Sequence, residues 1–128
     1  MSFDLSNIQS SDREVNLINP KDGSELGLVF ELRSPESKEV QKVQREWQDR
    51  KLHPKRRNKA ITTDELEALQ TQRILASVKG WRWEDPELTF NGEQPEFSEA
   101  ALRAWVRDYK WIRDFLITET EDADAFFN

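Results

Sequence analysis

The chain has 128 residues, 19 Lys and Arg against 25 Asp and Glu, no cysteine and a single histidine. That length suits one domain with one core, and the missing cysteines exclude disulfides, thiol nucleophiles and thiolate metal sites together. With 34% charged and 36% apolar residues the core must be small and the surface heavily hydrated.

Residues 1–13 are polar and unpatterned and are expected to be disordered, so that a single α+β domain spans 14–121 and an acidic, aromatic tail covers 122–128. The N-terminus lacks the basic region and apolar run of a secretory signal. No stretch approaches the ~20 apolar residues of a membrane helix. Together with the absent cysteines, this predicts a cytoplasmic protein.

Val15 and Leu17, then Leu26, Leu28, Phe30 and Leu32, alternate at period two around the turn sequence Asn19-Pro20-Lys21-Asp22-Gly23-Ser24, which predicts a β-hairpin. Glu31 and Arg33 fall on the opposite face, so one side should pack on helices and the other should meet water. Ser34-Pro35 reads as a helix start. In the helix that follows, Val40, Val43 and Trp47 form a narrow stripe that can bury one edge, ending near His53-Pro54.

Thr62-Thr63-Asp64-Glu65 is a capping box, with Ile61 and Leu66 placed as a hydrophobic staple. The second helix is expected to run to about Lys79, with Leu66, Leu69, Ile74, Leu75 and Val78 inward and Gly80 as terminator. From Trp81 to Phe97 the pattern predicts a long loop or a short irregular hairpin. Ser98 caps the last helix, expected to run unbroken to about Thr118, with Phe97 and Leu102 as a second staple.

Along that last helix, Ala101, Leu102, Ala104, Trp105, Val106, Tyr109, Trp111, Ile112, Phe115 and Leu116 sweep roughly 220° at 100° per residue, against a ~100° stripe for an ordinary surface helix. Such a helix needs partners on two sides. Trp105, Tyr109 and Ile112 are assigned to the core, and Trp111 and Phe115 to a contact surface for another protein, since aromatic side chains dominate interfaces. Val43, Trp47, Phe126 and Phe127 are secondary candidates.

Charge is unevenly placed. Arg50, Lys51, Lys55, Arg56, Arg57 and Lys59 form a basic block, while all six charges from Glu84 to Glu99 are acidic, as is the segment from Glu119 to Asp124. Opposite blocks can attract each other within one copy or between copies. Lys55, Arg56 and Arg57 are the candidate nucleic-acid contacts, but the net charge of −6 and the lack of interleaved aromatics argue against that use.

No enzymatic chemistry is legible. His53 has no spaced ligand set, Glu84, Asp85 and Glu87 lack the calcium-loop spacing, and four glycines make no phosphate loop. No cofactor is expected.

The order of elements carries a resemblance: a strand pair holding Asp22-Gly23-Ser24, Arg33-Ser34-Pro35-Glu36-Ser37 opening a charged helix, Val78-Lys79-Gly80-Trp81, then Asn91-Gly92 leading to Phe97-Ser98-Glu99 and a final helix. This layout resembles the tail assembly chaperones of long-tailed bacteriophages over residues 14–127, with Phe126 or Phe127 matching a near-terminal phenylalanine. The resemblance implies a non-catalytic, mostly helical protein of the infected or prophage-bearing cell. Its client would be the tape measure protein, held soluble until tail tube subunits polymerise around it. In many members a programmed frameshift appends a second domain; a chain ending at Asn128 is expected to be the short form or a relative that does not use it. The alternatives are a nucleic-acid-associated regulatory or packaging factor, and a structural tail or head-tail connector protein.

Overall fold

A computed structural model describes residues 5–52 and 62–127. The chain is α+β, with a three-stranded antiparallel sheet in the order β1-β2-β3, built from β1 (Arg13–Ile18), β2 (Glu25–Leu32) and β3 (Val78–Trp83). Its helices are α1 (Lys38–Leu52), α2 (Thr63–Ser77), α3 (Glu99–Asp108) and α4 (Lys110–Glu121).

The hairpin forms where alternation places it, because burying Val15, Leu17, Leu28, Phe30 and Leu32 on one face requires this register. Against that face pack Ile74 of α2, Leu102, Trp105 and Val106 of α3, and Ile112 and Leu116 of α4. On the outer face Arg82 reaches Glu14 at 2.6 Å, Glu84 at 2.9 Å and Glu31 at 3.9 Å, tying β1, β2 and β3 together across the sheet. The pairing of β1 with β2 slips between Asn16 and Ile18, and Gly27 takes up the slip at φ +96°. Its carbonyl accepts from the Glu84 and Asp85 N–H groups, and an added Cβ would lie 2.6 Å from that of Asp85. Only glycine lets the segment after β3 lie this close.

Three expectations need correction. The first helix starts at Lys38 rather than at Ser34-Pro35. Ser34 is held in a turn instead: its N–H donates to Asp12 and its Oγ accepts from the Glu36 N–H. The stretch expected to be a loop or short irregular hairpin from Trp81 begins instead as a strand, since α2 ends at Ser77 and passes directly into β3, which pairs with β2, and the irregular hairpin follows at the Phe90–Glu93 bridge. Arg33 secures that junction by donating to the Ala76 and Ser77 carbonyls at the end of α2. Gly80 is therefore a buried strand residue beside Glu31, not a helix terminator.

The third correction concerns the last helix, which is broken at Tyr109, a single residue at φ −122°, ψ 93°. Its N–H closes α3 on the Trp105 carbonyl, and its own carbonyl accepts from Ile112 and Arg113 to open α4. No proline or glycine is involved. The Tyr109 ring meets Phe90 edge-on at 5.5 Å, a tertiary contact at the break. The wide apolar sweep of a continuous helix thus divides between two shorter helices, with Leu102, Trp105 and Val106 buried on one and Ile112 and Leu116 on the other.

The caps at Thr62 and Ser98 form as expected, accepting from the Glu65 and Ala101 N–H groups. Ile61, half of the first staple, lies outside the described residues. At the chain ends, Ser11 donates to the Phe126 carbonyl and Asp12 binds Ser34 and Lys79, so the fold holds the chain from before Glu14. Phe126 is 1% exposed within the core, under the Arg13 guanidinium at 4.9 Å from the ring centre.

Candidate functional site

Between the turn end of the hairpin, the segment after β3 and the start of α4 lies an apolar cleft of about 150 Å³. Leu17, Leu26 and Leu28 supply the hairpin wall, Leu88 to Phe90 the loop wall, and Trp83, Trp105, Trp111 and Ile112 the remainder. The hairpin wall follows from strand alternation, and the other walls from the two features sequence reasoning missed, β3 and the break at Tyr109. In a continuous helix Trp105 and Trp111 would point about 120° apart. The break lets both line one cleft.

The floor is an aromatic cluster. Trp81 and Trp105 stack in parallel with centroids 4.3 Å apart, Trp83 stands edge-on to Trp105 at 6.3 Å, and Phe90 leans on it at 4.9 Å. Both Trp81 and Trp83 donate their indole N–H to the Pro95 carbonyl, each at 2.9 Å. Their polar ends are thereby satisfied and the loop is pinned to the sheet. Gln94 adds bonds to the Asp85 and Leu88 carbonyls. Asn91 and Gly92, both at positive φ, make the tight turn that closes the Phe90–Glu93 bridge. The loop wall is fixed by these bonds.

Among the sequence-predicted contact residues, Trp111 alone lines the cleft, at its mouth and 37% exposed. Phe115 is half-buried and lies against Phe30, with centroids 6.4 Å apart. Phe126 is a core residue, which removes it from any contact surface, while its neighbour Phe127 is exposed. Val43 and Trp47 are half-buried on α1, which packs against α2. Lys55, Arg56 and Arg57 lie outside the described residues. The one sequence signal for the missed wall was the alternation Trp81-Arg82-Trp83, with the indoles on one side of a strand.

Two further hollows are lined largely by charged residues. Asp12, Arg13, Glu14, Glu31 and Lys79 line one of about 210 Å³, where the Ser34 N–H and then the Lys79 ammonium hold the Asp12 carboxyl below its ordinary pKa. The other, of about 370 Å³, gathers Arg103, Arg107 and Arg113. Each of those arginines already has a partner, in Glu99, Asp108 and Gln70 respectively. Among the described residues no group of three or more His, Asp or Glu side chains is placed to hold a metal ion. None of the described helices is long and apolar enough to cross a membrane. No protein-family model matches this chain, and neither a curated protein nor a solved structure matches it.

Proposed function

We propose that the protein is a non-enzymatic tail assembly chaperone of a long-tailed bacteriophage or prophage, acting in the host cytoplasm, which binds the tape measure protein and keeps it soluble before the tail tube assembles. The observation that carries this reading is the aromatic cleft with a half-exposed tryptophan at its mouth. At about 150 Å³ it is well below the 300–1,000 Å³ of a typical small-molecule site. It has room for one or two side chains of another protein. Its walls are nearly all apolar, which suits gripping a client and offers nothing to a reacting group.

The layout resemblance adds the client's identity. A charged body of net −6 suits the role, since it keeps a complex with an aggregation-prone partner in solution. The tail tube protein, or a second copy of this chain, is a further partner in the same reading.

The test is co-expression with the tape measure protein encoded nearby, scoring client solubility and copurification at low and high salt. Copurification that survives high salt supports an apolar grip. A client that stays insoluble, with this chain retained on DNA at low salt only, moves the assignment to the basic block. Recovery of the chain in purified particles moves it to a structural tail protein.

A further inference from the structure

The charge beside the cleft is one-sided. Its loop wall, Leu88 to Phe90, lies within the stretch Glu84 to Glu99, whose six charged residues are all acidic. Arg82 engages Glu84 and Arg103 engages Glu99. Asp85, Glu87, Glu93 and Glu96 form no ion pair among the described residues, and Glu87 and Glu93 bracket the lining segment in sequence. Glu93 is also bridged to Phe90 through both backbone hydrogen bonds, at 2.7 and 3.1 Å. The Pro95, Gln94 and Asn91-Gly92 contacts fix the loop backbone that carries these residues. Lys110, next to Trp111 in sequence, is exposed and does not line the cleft.

We infer that the cleft takes a segment of a partner protein in which an apolar anchor residue is flanked by lysine or arginine, and that the acidic loop selects for it. The inference rests on reading the cleft as a protein-docking site and adds the chemistry of the docked segment. A neutral or acidic segment fills the cleft but leaves the loop carboxylates without a counter-charge, whereas flanking cations pair with them and steer the encounter. Two copies meeting cleft to cleft would set their acidic loops against each other.

The test uses two dye-labelled helical peptides of about 18 residues, or five turns. Both carry leucines along one face, one with lysines and the other with glutamates elsewhere, and binding is read by anisotropy at about 50 and 300 mM salt. The lysine peptide should bind at least about tenfold more tightly at low salt, and Trp111→Ala should weaken it by a similar factor. Glu87→Lys with Glu93→Lys should close the gap between the peptides, while Asp122→Asn with Asp124→Asn, acidic changes in the tail, should leave it intact. Equal binding of the two peptides, or a preference that survives the Glu87 and Glu93 changes, overturns the inference. If neither peptide binds while the client still copurifies, the charge selection fails and the chaperone reading stands. If the lysine peptide is preferred through Trp111 and Glu87 but the client stays insoluble, the selection stands and the chaperone reading fails. A dimer abolished by Trp111→Ala, with no peptide bound, assigns the cleft to a second copy and also overturns it.

Discussion

The adjacent phenylalanines at the C-terminus give a paired experiment on how far the core extends. Phe126 is 1% exposed and packs in the main apolar cluster, whereas Phe127 is 41% exposed. Truncating a buried phenylalanine to alanine costs about 3–5 kcal/mol, and a chain end that can relax into the space belongs at the lower limit. Loss of the Arg13 guanidinium contact, 4.9 Å from the ring centre, adds about 0.5–1 kcal/mol. Phe126→Ala should therefore lose about 3–4 kcal/mol in urea denaturation followed by tryptophan fluorescence. With an unfolding entropy near 2.1 cal/mol/K per residue over 128 residues, a loss of about 3 kcal/mol lowers Tm by about 11 °C. Phe127→Ala should change stability by less than about 0.5 kcal/mol. Equal losses for the two variants, or a loss below about 1 kcal/mol for Phe126→Ala, would refute the placement of the tail in the core.

Three other outcomes follow from the packing. Trp105→Ala, which removes the partner stacked 4.3 Å from Trp81, should cost about 3–5 kcal/mol and abolish the near-UV dichroism of the stacked pair; an unchanged spectrum would contradict the stack. Gly27→Ala should cost about 2 kcal/mol or more, from its φ of +96° and the close Asp85 Cβ. Adding Asp85→Gly should recover part of that loss, and no recovery would mean that the contact is not the cause. The Asp12 carboxyl, held below its ordinary pKa by Ser34 and Lys79, contributes stability that is present above about pH 4 and lost as pH falls through its lowered value. Its side chain is 45% exposed, so the contribution is under about 1 kcal/mol. Asp12→Asn should flatten the acid limb of a stability–pH curve, and curves with the same slope would remove Asp12 from the account.

The hairpin was readable because its apolar residues alternate and its turn contains Asp22-Gly23. The caps at Thr62 and Ser98 were readable because capping is local chemistry. By contrast, β3 offers only Trp81-Arg82-Trp83 as alternation and follows a helix with no connecting loop, so Gly80 was naturally read as a helix stop. Tertiary pairing with β2 decides the matter. The break at Tyr109 carries no local signal, since Asp108, Tyr109 and Lys110 are all tolerated within a helix; the contact with Phe90, 19 residues earlier, accompanies it. Because of that, Trp111 could be picked out from the sequence while the cleft it lines could not. Phe126 and Phe127, two neighbours with opposite burial, were alike in sequence for the same reason.

The most direct test of the central claim compares the wild type with Trp111→Ala in co-expression with the tape measure protein. Trp111 is 37% exposed, so its loss should cost the fold only part of the ~3–5 kcal/mol of a fully buried tryptophan, about 1–3 kcal/mol, and thermal unfolding can verify that the variant stays folded. The account predicts a folded variant that no longer keeps the client soluble or copurifies with it at high salt. A folded variant that retains the client as well as the wild type does would contradict it.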